Sequence, residues 1–584
     1  MMKKRILSLL LVAAMATASL VGCGQEEKPA NTESSKTTSE STVTKESETK
    51  ATEVEQKVAY EDLPTINVLY SHGYSNEGDD NEIWRAVAEQ IGAKVHFIGA
   101  DADKYNAMIA SGEGYDILMV KKAVVNDLIA GGNLVALDDL VAEKGQNIQE
   151  NIPEMIQYCK EYVSDESGAL YVLPAEASHS GLMAPGSSGT RGLIRWDLYA
   201  DMGYPEINSM DDNLKVIADM QAKYPTTADG SKVYGMALPG DKAIFALLYP
   251  STHWLGQGGA STSSVRAYDY ETMEYINLYG EGGAFWTGIE YYHKAYLMGL
   301  LDPDSFTMTE ADLKAKATDG KLLEITALYQ AGTMADGQGF MELPRNWAGH
   351  DQSENAALPE VAVPSCWIGI NKNSDKVDLC MDYLNFIFSE EGANLIYNGI
   401  EGKHYTVENG VRVMTAEAKE LYKDSTAWAK AGLGNAEIGH FVGLSMYALA
   451  SDGNSLMIAL DDDNFKDTLT DIQKDFCEYY GVDYPAQIYF EYAREYDIPN
   501  PDDIDNTVKA FLPTADDATK QLEAAVIAEA ESLIAGLVMA SEKDYEAKVA
   551  EAKQRLEKAG LSKIDEYYKA NWQSAFDKAS AFGK

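Results

Sequence analysis

The sequence predicts an α/β protein built as two lobes. Three observations carry this. Apolar runs of strand length alternate with segments of helical periodicity from Thr65 onward. One run, "YDILMV" (115–120), is unbroken, as in a strand covered on both faces. The body holds about 520 residues, more than one ordinary domain accommodates.

The chain opens with Lys3, Lys4 and Arg5, then an apolar run from Ile6 to Ala14 that is too short to span a bilayer. Small residues follow and end in Leu20-Val21-Gly22-Cys23. Charge, apolar run and small residues in that order form an export signal, expected over 1–22. Residues 24–60 are Glu, Lys, Ser and Thr with almost no large apolar side chain. They cannot offset their ordering entropy by burial, so 23–60 is expected to be a disordered tether. At roughly 3.3 Å per residue it reaches on the order of 100 Å.

The body starts with the strand "INVLY" (66–70) and the turn-rich loop "SHGYSNEGDD". Ile83, Trp84, Val87 and Ile91 recur at helical spacing, and Gly92 ends that helix. "KVHFIG" (94–99) is the second strand. An Asp-capped helix follows, with Tyr105, Met108 and Ile109 on one face and Gly112 as its stop. After "YDILMV", Val124, Leu128 and Ile129 form a helix ended by Gly131-Gly132. This alternation predicts a mainly parallel sheet. Trp84 and Trp196 fall in helices and are expected in the core.

The formal charge is −44, from 48 Lys and Arg against 92 Asp and Glu. Such a surface repels phosphate backbones and anionic lipid, so no nucleic-acid partner is expected. No second apolar run has membrane length, so attachment to a membrane rests on the N-terminus. Of the five cysteines, Cys159, Cys366, Cys380 and Cys477 show no C-x-x-C spacing, which argues against structural zinc. Cys159 continues the stripe of Ile152, Met155, Ile156 and Val163. Cys380 shares a face with Tyr383, Leu384 and Ile387. Buried free thiols are expected rather than disulfides.

The motifs of catalysis are missing. "APGSSGTRG" fails the spacing of a G-x-S-x-G nucleophile elbow, and no apolar strand precedes it. No H-E-x-x-H and no phosphate loop occur. A glycosidase needs two carboxylates, but among 92 acids a pair carries no information. No catalytic residue, metal or cofactor is expected, and calcium is the alternative weighed. "DPDSFTMTEADL" (302–313) has Asp302 and Asp304 at positions one and three of a calcium loop, but lacks the Gly at six and the Glu at twelve. "ALDDDNFKD" (459–467) is a charge cluster of the solvated kind.

Two resemblances follow from quoted stretches. A cysteine directly after Leu-Val-Gly resembles the lipobox of bacterial lipoproteins, which implies that Cys23 is acylated on sulfur and becomes the mature N-terminus. The phrases "YNAMIASGEGYDILMV", "GGNLVALDDL", "GALYVLPAE", "GLIRWDLYADMGYP", "AYLMGLLDPDSFTMTEADLKAKATDGK" and "WIGINKNSDKVDLCMDYLNFIFSEEGANLIYNGIEGKHY" occur in that order. Together they resemble the family 1 extracellular solute-binding proteins of ATP-driven (ABC) importers, over about residues 63–574. The resemblance implies a type II periplasmic-binding-protein-like fold, with a hinge crossed three times and a ligand cleft between two α/β lobes. We place the crossings near 171–177, 364–370 and 432–443. One lobe then takes 61–173 plus 368–437 and the other 174–367 plus 438–584. The resemblance also implies a monomer on the extracytoplasmic face of the cell membrane, held by its lipid alone, that passes its solute to permease subunits.

Loops at the carboxyl ends of strands line such a crevice. A sugar offers apolar C–H faces and a rim of hydroxyls, which suit flat aromatic rings and planar polar groups. On that logic the ligand-binding candidates are Tyr74 after the first strand and Glu176 at the first crossing. Trp254 and Gln257 lie in "LLYPSTHWLGQGG" (247–259), expected to be a Gly-rich loop. Arg345 and Trp347 lie in "ELPRNWAGH", and Trp367 sits at the second crossing. Tether and body size point to an oligosaccharide as the solute. The competing readings are a surface polysaccharide-degrading enzyme, and a binder of peptides or other solutes or a sensor subunit with the same body.

Overall fold

A computed structural model describes residues 58–70, 81–120, 122–177, 192–240, 242–259, 261–269, 272–326, 334, 337–342, 367–422, 425–434, 443–446, 448–461, 466, 469–485, 487–488 and 507–582. Its strands in chain order are β1 Thr65–Tyr70, β2 Lys94–Gly99, β3 Ile117–Val120, β4 Leu173–Pro174, β5 Glu176–Ala177, β6 Gly192–Arg195, β7 Gln257–Gly258 and β8 Arg266–Asp269. Then come β9 Tyr275–Asn277, β10 Glu324–Thr326, β11 Phe340–Glu342, β12 Trp367–Ile370, β13 Tyr405–Glu408, β14 Val411–Met414 and β15 Gly443–Leu444.

The first lobe is built on a sheet of order β2-β1-β3-β12-β4. β2, β1 and β3 are parallel, as the alternation of strands and helices predicts, while β12 runs antiparallel between β3 and β4. All four residues of β3 are buried, which its unbroken apolar run requires. The helices between these strands are set by their ends. Asn81 accepts the N–H groups of Ile83 and Trp84 to start helix Glu82–Ile91, and left-handed Gly92 (φ 73°) stops it. Asp101 and Gly112 do the same for Ala102–Ser111. Trp84 packs edge-on against Phe97, with ring centroids 5.2 Å apart.

Two separate hydrophobic cores result. The first takes the sheet and its helices from Ile66 to Ala177, then Trp367 to Leu460. The second takes the buried apolar residues from Leu193 to Met341, except Tyr268, which packs in the first, around the antiparallel sheets β10-β6-β11 and β7-β8-β9, with Trp196 wholly buried in it. The remainder of the chain alternates: Phe476 to Ile488 joins the second core, Val508 to Phe511 the first, and Val526 to Tyr568 the second. The last helix, Leu561–Ala581, starts in the second core at Ile564 and ends in the first at Trp572, Ala575 and Ala579.

The expected boundaries placed 438–584 with the second lobe and a crossing near 432–443. Residues 444–460 instead pack in the first core. The cause is Asn398, whose amide donates to the Leu456 carbonyl at 2.6 Å and accepts the Ile458 N–H at 2.9 Å. The chain passes to the second core only after Leu460.

Cys159, Cys380 and Cys477 are buried free thiols. Burial raises all three thiol pKa values, to about 12 for Cys380 and Cys477. Cys366 lies outside the described residues.

Candidate functional site

The strand directions define one edge of the first-lobe sheet. β1 and β3 end there at Tyr70 and Val120. In antiparallel β12, Trp367 stands opposite Val120 on one side and Pro174 on the other. Two residues beyond Pro174, β5 pairs in parallel with β15, Glu176 beside Gly443. Ala177 accepts the Ser445 N–H at 2.6 Å, and the Leu444 carbonyl accepts the Tyr397 hydroxyl at 2.9 Å. The departure toward the second lobe after Ala177, the return at Trp367 and the strand at Gly443 therefore share this carboxyl edge. It is the edge at which an open α/β sheet binds ligands. An open pocket of about 540 Å³ is lined by Gln90, Asn147, Asp382, Asn385 and Glu391 of the first lobe.

Gly443 has φ 75°, and a Cβ at this position would collide with the carbonyl oxygen of Ile387. Only glycine lets β15 approach the helix Val377–Ile387 so closely.

Of the expected ligand contacts, Tyr74, Arg345 and Trp347 lie outside the described residues, as does the lipobox cysteine Cys23. Glu176 is placed by its backbone in β5. Trp367 belongs to the core: it is 0% exposed, and its ring stacks on Tyr158 with centroids 6.1 Å apart. The expectation of a ligand-facing indole at the second crossing is corrected accordingly. The ring is walled in because the helix Pro153–Tyr158 packs on that face of the sheet and lays Tyr158 against it. Its indole N–H has no hydrogen-bond partner among the described residues.

The segment 247–259 also differs from expectation. It is not a Gly-rich loop but the second half of helix Ala243–Leu255, ended by left-handed Gly256 (φ 68°). Pro250 lies inside this helix, and by lacking an N–H it frees the carbonyl of Ala246. The Tyr292 hydroxyl donates to that carbonyl at 3.1 Å. Leu247 and Leu248 are fully buried and hold the helix against the second core. Trp254 is half-buried at the helix end. Gln257 opens β7 and is 5% exposed, with its amide N–H donating to the Gly282 carbonyl at 2.8 Å. Its side-chain oxygen is buried and has no hydrogen-bond partner among the described residues.

Calcium does not fit the residues of 302–313. The ammonium of Lys316 stands 2.7 Å from Asp302 and 2.8 Å from Asp304, where a divalent ion would need open carboxylate oxygens. The 459–467 cluster falls partly outside the described residues. Among the described residues, no group of three His, Cys, Asp or Glu side chains is arranged to hold a metal ion. Among them also, no helix is long and apolar enough to cross a membrane.

No protein-family model matches the chain, and no curated protein matches it. Solved structures do. It is similar to an HMO-binding, ABC-transporter-associated solute-binding protein from Bifidobacterium longum infantis, at 16% identity and TM-score 0.56, over 89% of this chain and 99% of that one. It is similar to the ABC-transporter substrate-binding protein FusA of S. pneumoniae in complex with kestose, at 13% identity and TM-score 0.53, over 88% and 99%. A third is alginate-binding protein AlgQ2 without calcium ion, at 15% identity and TM-score 0.50, over 89% and 99%. The fold is thus the two-lobed fold of solute-binding proteins, along nearly the whole chain.

Proposed function

We propose that this chain is the substrate-binding lipoprotein of an ABC importer, capturing an extracellular oligosaccharide and delivering it to the membrane permease. The observation that carries the reading is the likeness of fold over 88–89% of the chain to proteins named for HMO, kestose and alginate. Two lobes with their connections gathered at one sheet edge suit capture by closure, in which the ligand selects the closed form that the permease engages. The neighbours are named as binding proteins, which supports binding rather than turnover as the task.

The proposed contacts are Tyr74, Glu176, Arg345 and Trp347, with Trp254 and Gln257 from the second lobe. Gln257 is proposed on the chemistry of its amide, which suits sugar hydroxyls. Cys23, acylated, holds a monomer on the extracytoplasmic face of the membrane, with 23–60 as its tether.

A thermal-shift screen of the full chain tests the reading. An oligosaccharide at a hundred times its dissociation constant stabilises the folded form by about 2.7 kcal/mol. Stabilisation by peptides alone would overturn the sugar assignment. Release of reducing ends from the same glycans would overturn the binder assignment. Trp254→Ala is expected to weaken the glycan response about tenfold with no change in the ligand-free melting temperature.

A further inference from the structure

The acidic loop at 302–308 holds a cation of its own. Asp302 is anchored on both sides: its N–H donates to the Met236 carbonyl at 2.8 Å, and its Oδ1 accepts the Asp304 N–H at 2.9 Å. Its carboxylate is 1% exposed, so an ionised Asp302 without a partner would be strongly destabilising. The partner is Lys316, one helical turn beyond Asp312 on Glu310–Thr318. A single ammonium bridges Asp302 Oδ2 at 2.7 Å and Asp304 Oδ2 at 2.8 Å.

The neighbouring acid is committed elsewhere. Asp312 lies one residue short of the twelfth position of a calcium loop, which Leu313 occupies. Both the N–H and the hydroxyl of Thr309 donate to Asp312 Oδ2, which closes a capping box at the start of the helix. Asp312 therefore caps the helix instead of facing the loop. The loop is also tied to the second core: Ser305 Oγ accepts the Leu238 N–H at 3.2 Å, and the Leu238 carbonyl accepts the Phe306 N–H at 2.8 Å. Its geometry feeds directly into the packing of that lobe.

We propose that Lys316 is the resident cation of this loop: its ammonium occupies the position between Asp302 and Asp304 that a divalent ion would need, which makes the loop independent of calcium. A tethered ammonium needs no dissociation equilibrium with the medium, so the loop keeps its shape at any external calcium concentration.

The test uses the full chain, its Lys316→Met and Lys316→Arg variants, and Asp302→Asn alone and combined with Lys316→Met. Wild type is expected to melt at the same temperature, within about 1 °C, in excess EDTA and in millimolar calcium chloride. Lys316→Met is expected to lower the melting temperature by several degrees, and Asp302→Asn in the same chain to restore most of that loss. Lys316→Arg keeps the charge and is expected to stay within about 2 °C of wild type, which serves the test should Lys316→Met not fold. A rise of several degrees on adding calcium to wild type would overturn the proposal. So would a Lys316→Met loss equal with and without Asp302→Asn, or a Lys316→Arg variant that responds to calcium.

Discussion

Trp572 stacks on Tyr268, ring centroids 5.6 Å apart and planes within 17°, and donates its indole N–H to the Met273 carbonyl at 2.8 Å. Tyr268 lies in a strand of the β7-β8-β9 sheet, and Trp572 lies in the helix Leu561–Ala581, which runs from one core to the other. The Arg266 guanidinium sits 5.5 Å from the Trp572 ring centroid. A helix of 21 residues is about 31 Å long, enough to brace two lobes.

Trp572→Ala is therefore expected to cost about 3–5 kcal/mol, the range for a large buried aromatic. Trp572→Phe keeps the ring packing and loses the N–H donation, at about 1–2 kcal/mol. Urea unfolding followed by circular dichroism measures both. A Trp572→Ala midpoint equal to wild type would mean that the strut contributes nothing to stability.

The pair Arg412–Asp452 supports a pH prediction. The guanidinium donates Nε to Oδ2 at 2.7 Å and Nη2 to Oδ1 at 2.9 Å, and both side chains are 8% exposed. Burial works to raise the Asp452 pKa. The Arg412 fork and the N–H groups of Arg412 and Asn454 outweigh it and bring the value from 3.8 to about 2. A depressed carboxylate stabilises the fold above its unfolded pKa, and the stabilisation is lost as pH falls through the folded value. The window is thus pH 4 down to pH 2, worth about 2 kcal/mol. The urea midpoint of wild type is expected to fall across that window, and Asp452→Asn is expected to remove this part of the fall. Arg412→Ala, which strands a buried carboxylate, is expected to cost about 3–5 kcal/mol at pH 7.

Gly443→Ala tests the approach of β15 to the first lobe. The left-handed backbone alone costs a Cβ about 1–2 kcal/mol, and the collision with the Ile387 carbonyl adds to it. A loss of at least about 2 kcal/mol is expected in thermal unfolding. A neutral substitution would show that the β5–β15 pairing yields without cost.

What was legible in the sequence was local. Asn81 with Gly92, and Asp101 with Gly112, mark helix ends because each cap bonds within its own turn. The apolar run of β3 announces a covered strand because burial on both faces needs no remote partner to be read. The misreadings have remote causes. Pro250 and Gly256 suggest a loop in sequence, but the hydroxyl of Tyr292, far along the chain, satisfies the carbonyl that Pro250 frees. Trp367 has the look of a loop aromatic, yet it opens a strand paired with β4, and Tyr158 from a remote helix stacks on its ring. Asn398 holds 456–458 in the first core through two side-chain hydrogen bonds that no periodicity reveals. The ligand contacts depend on how loops from several strands converge, so candidates could be named by residue type but not arranged.

The N-terminus offers the most direct test of where the protein works. "SLVGCGQEE" (19–27) puts Cys23 immediately after an apolar run and small residues, and before a polar stretch that cannot bury itself. Cys159, Cys380 and Cys477 are buried thiols whose pKa values are raised, the wrong environment for reactivity. Under the proposed function, acylation on the Cys23 sulfur would join the body to the membrane through the polar stretch 24–60. Cys23→Ala removes the acceptor sulfur and leaves the body's fold untouched. Cell fractionation and blotting are expected to show the variant in the medium or as an unprocessed precursor, with wild type in the membrane fraction and labelled by a palmitate analogue. A Cys23→Ala protein that is processed and membrane-bound as before would mean that another segment anchors the chain.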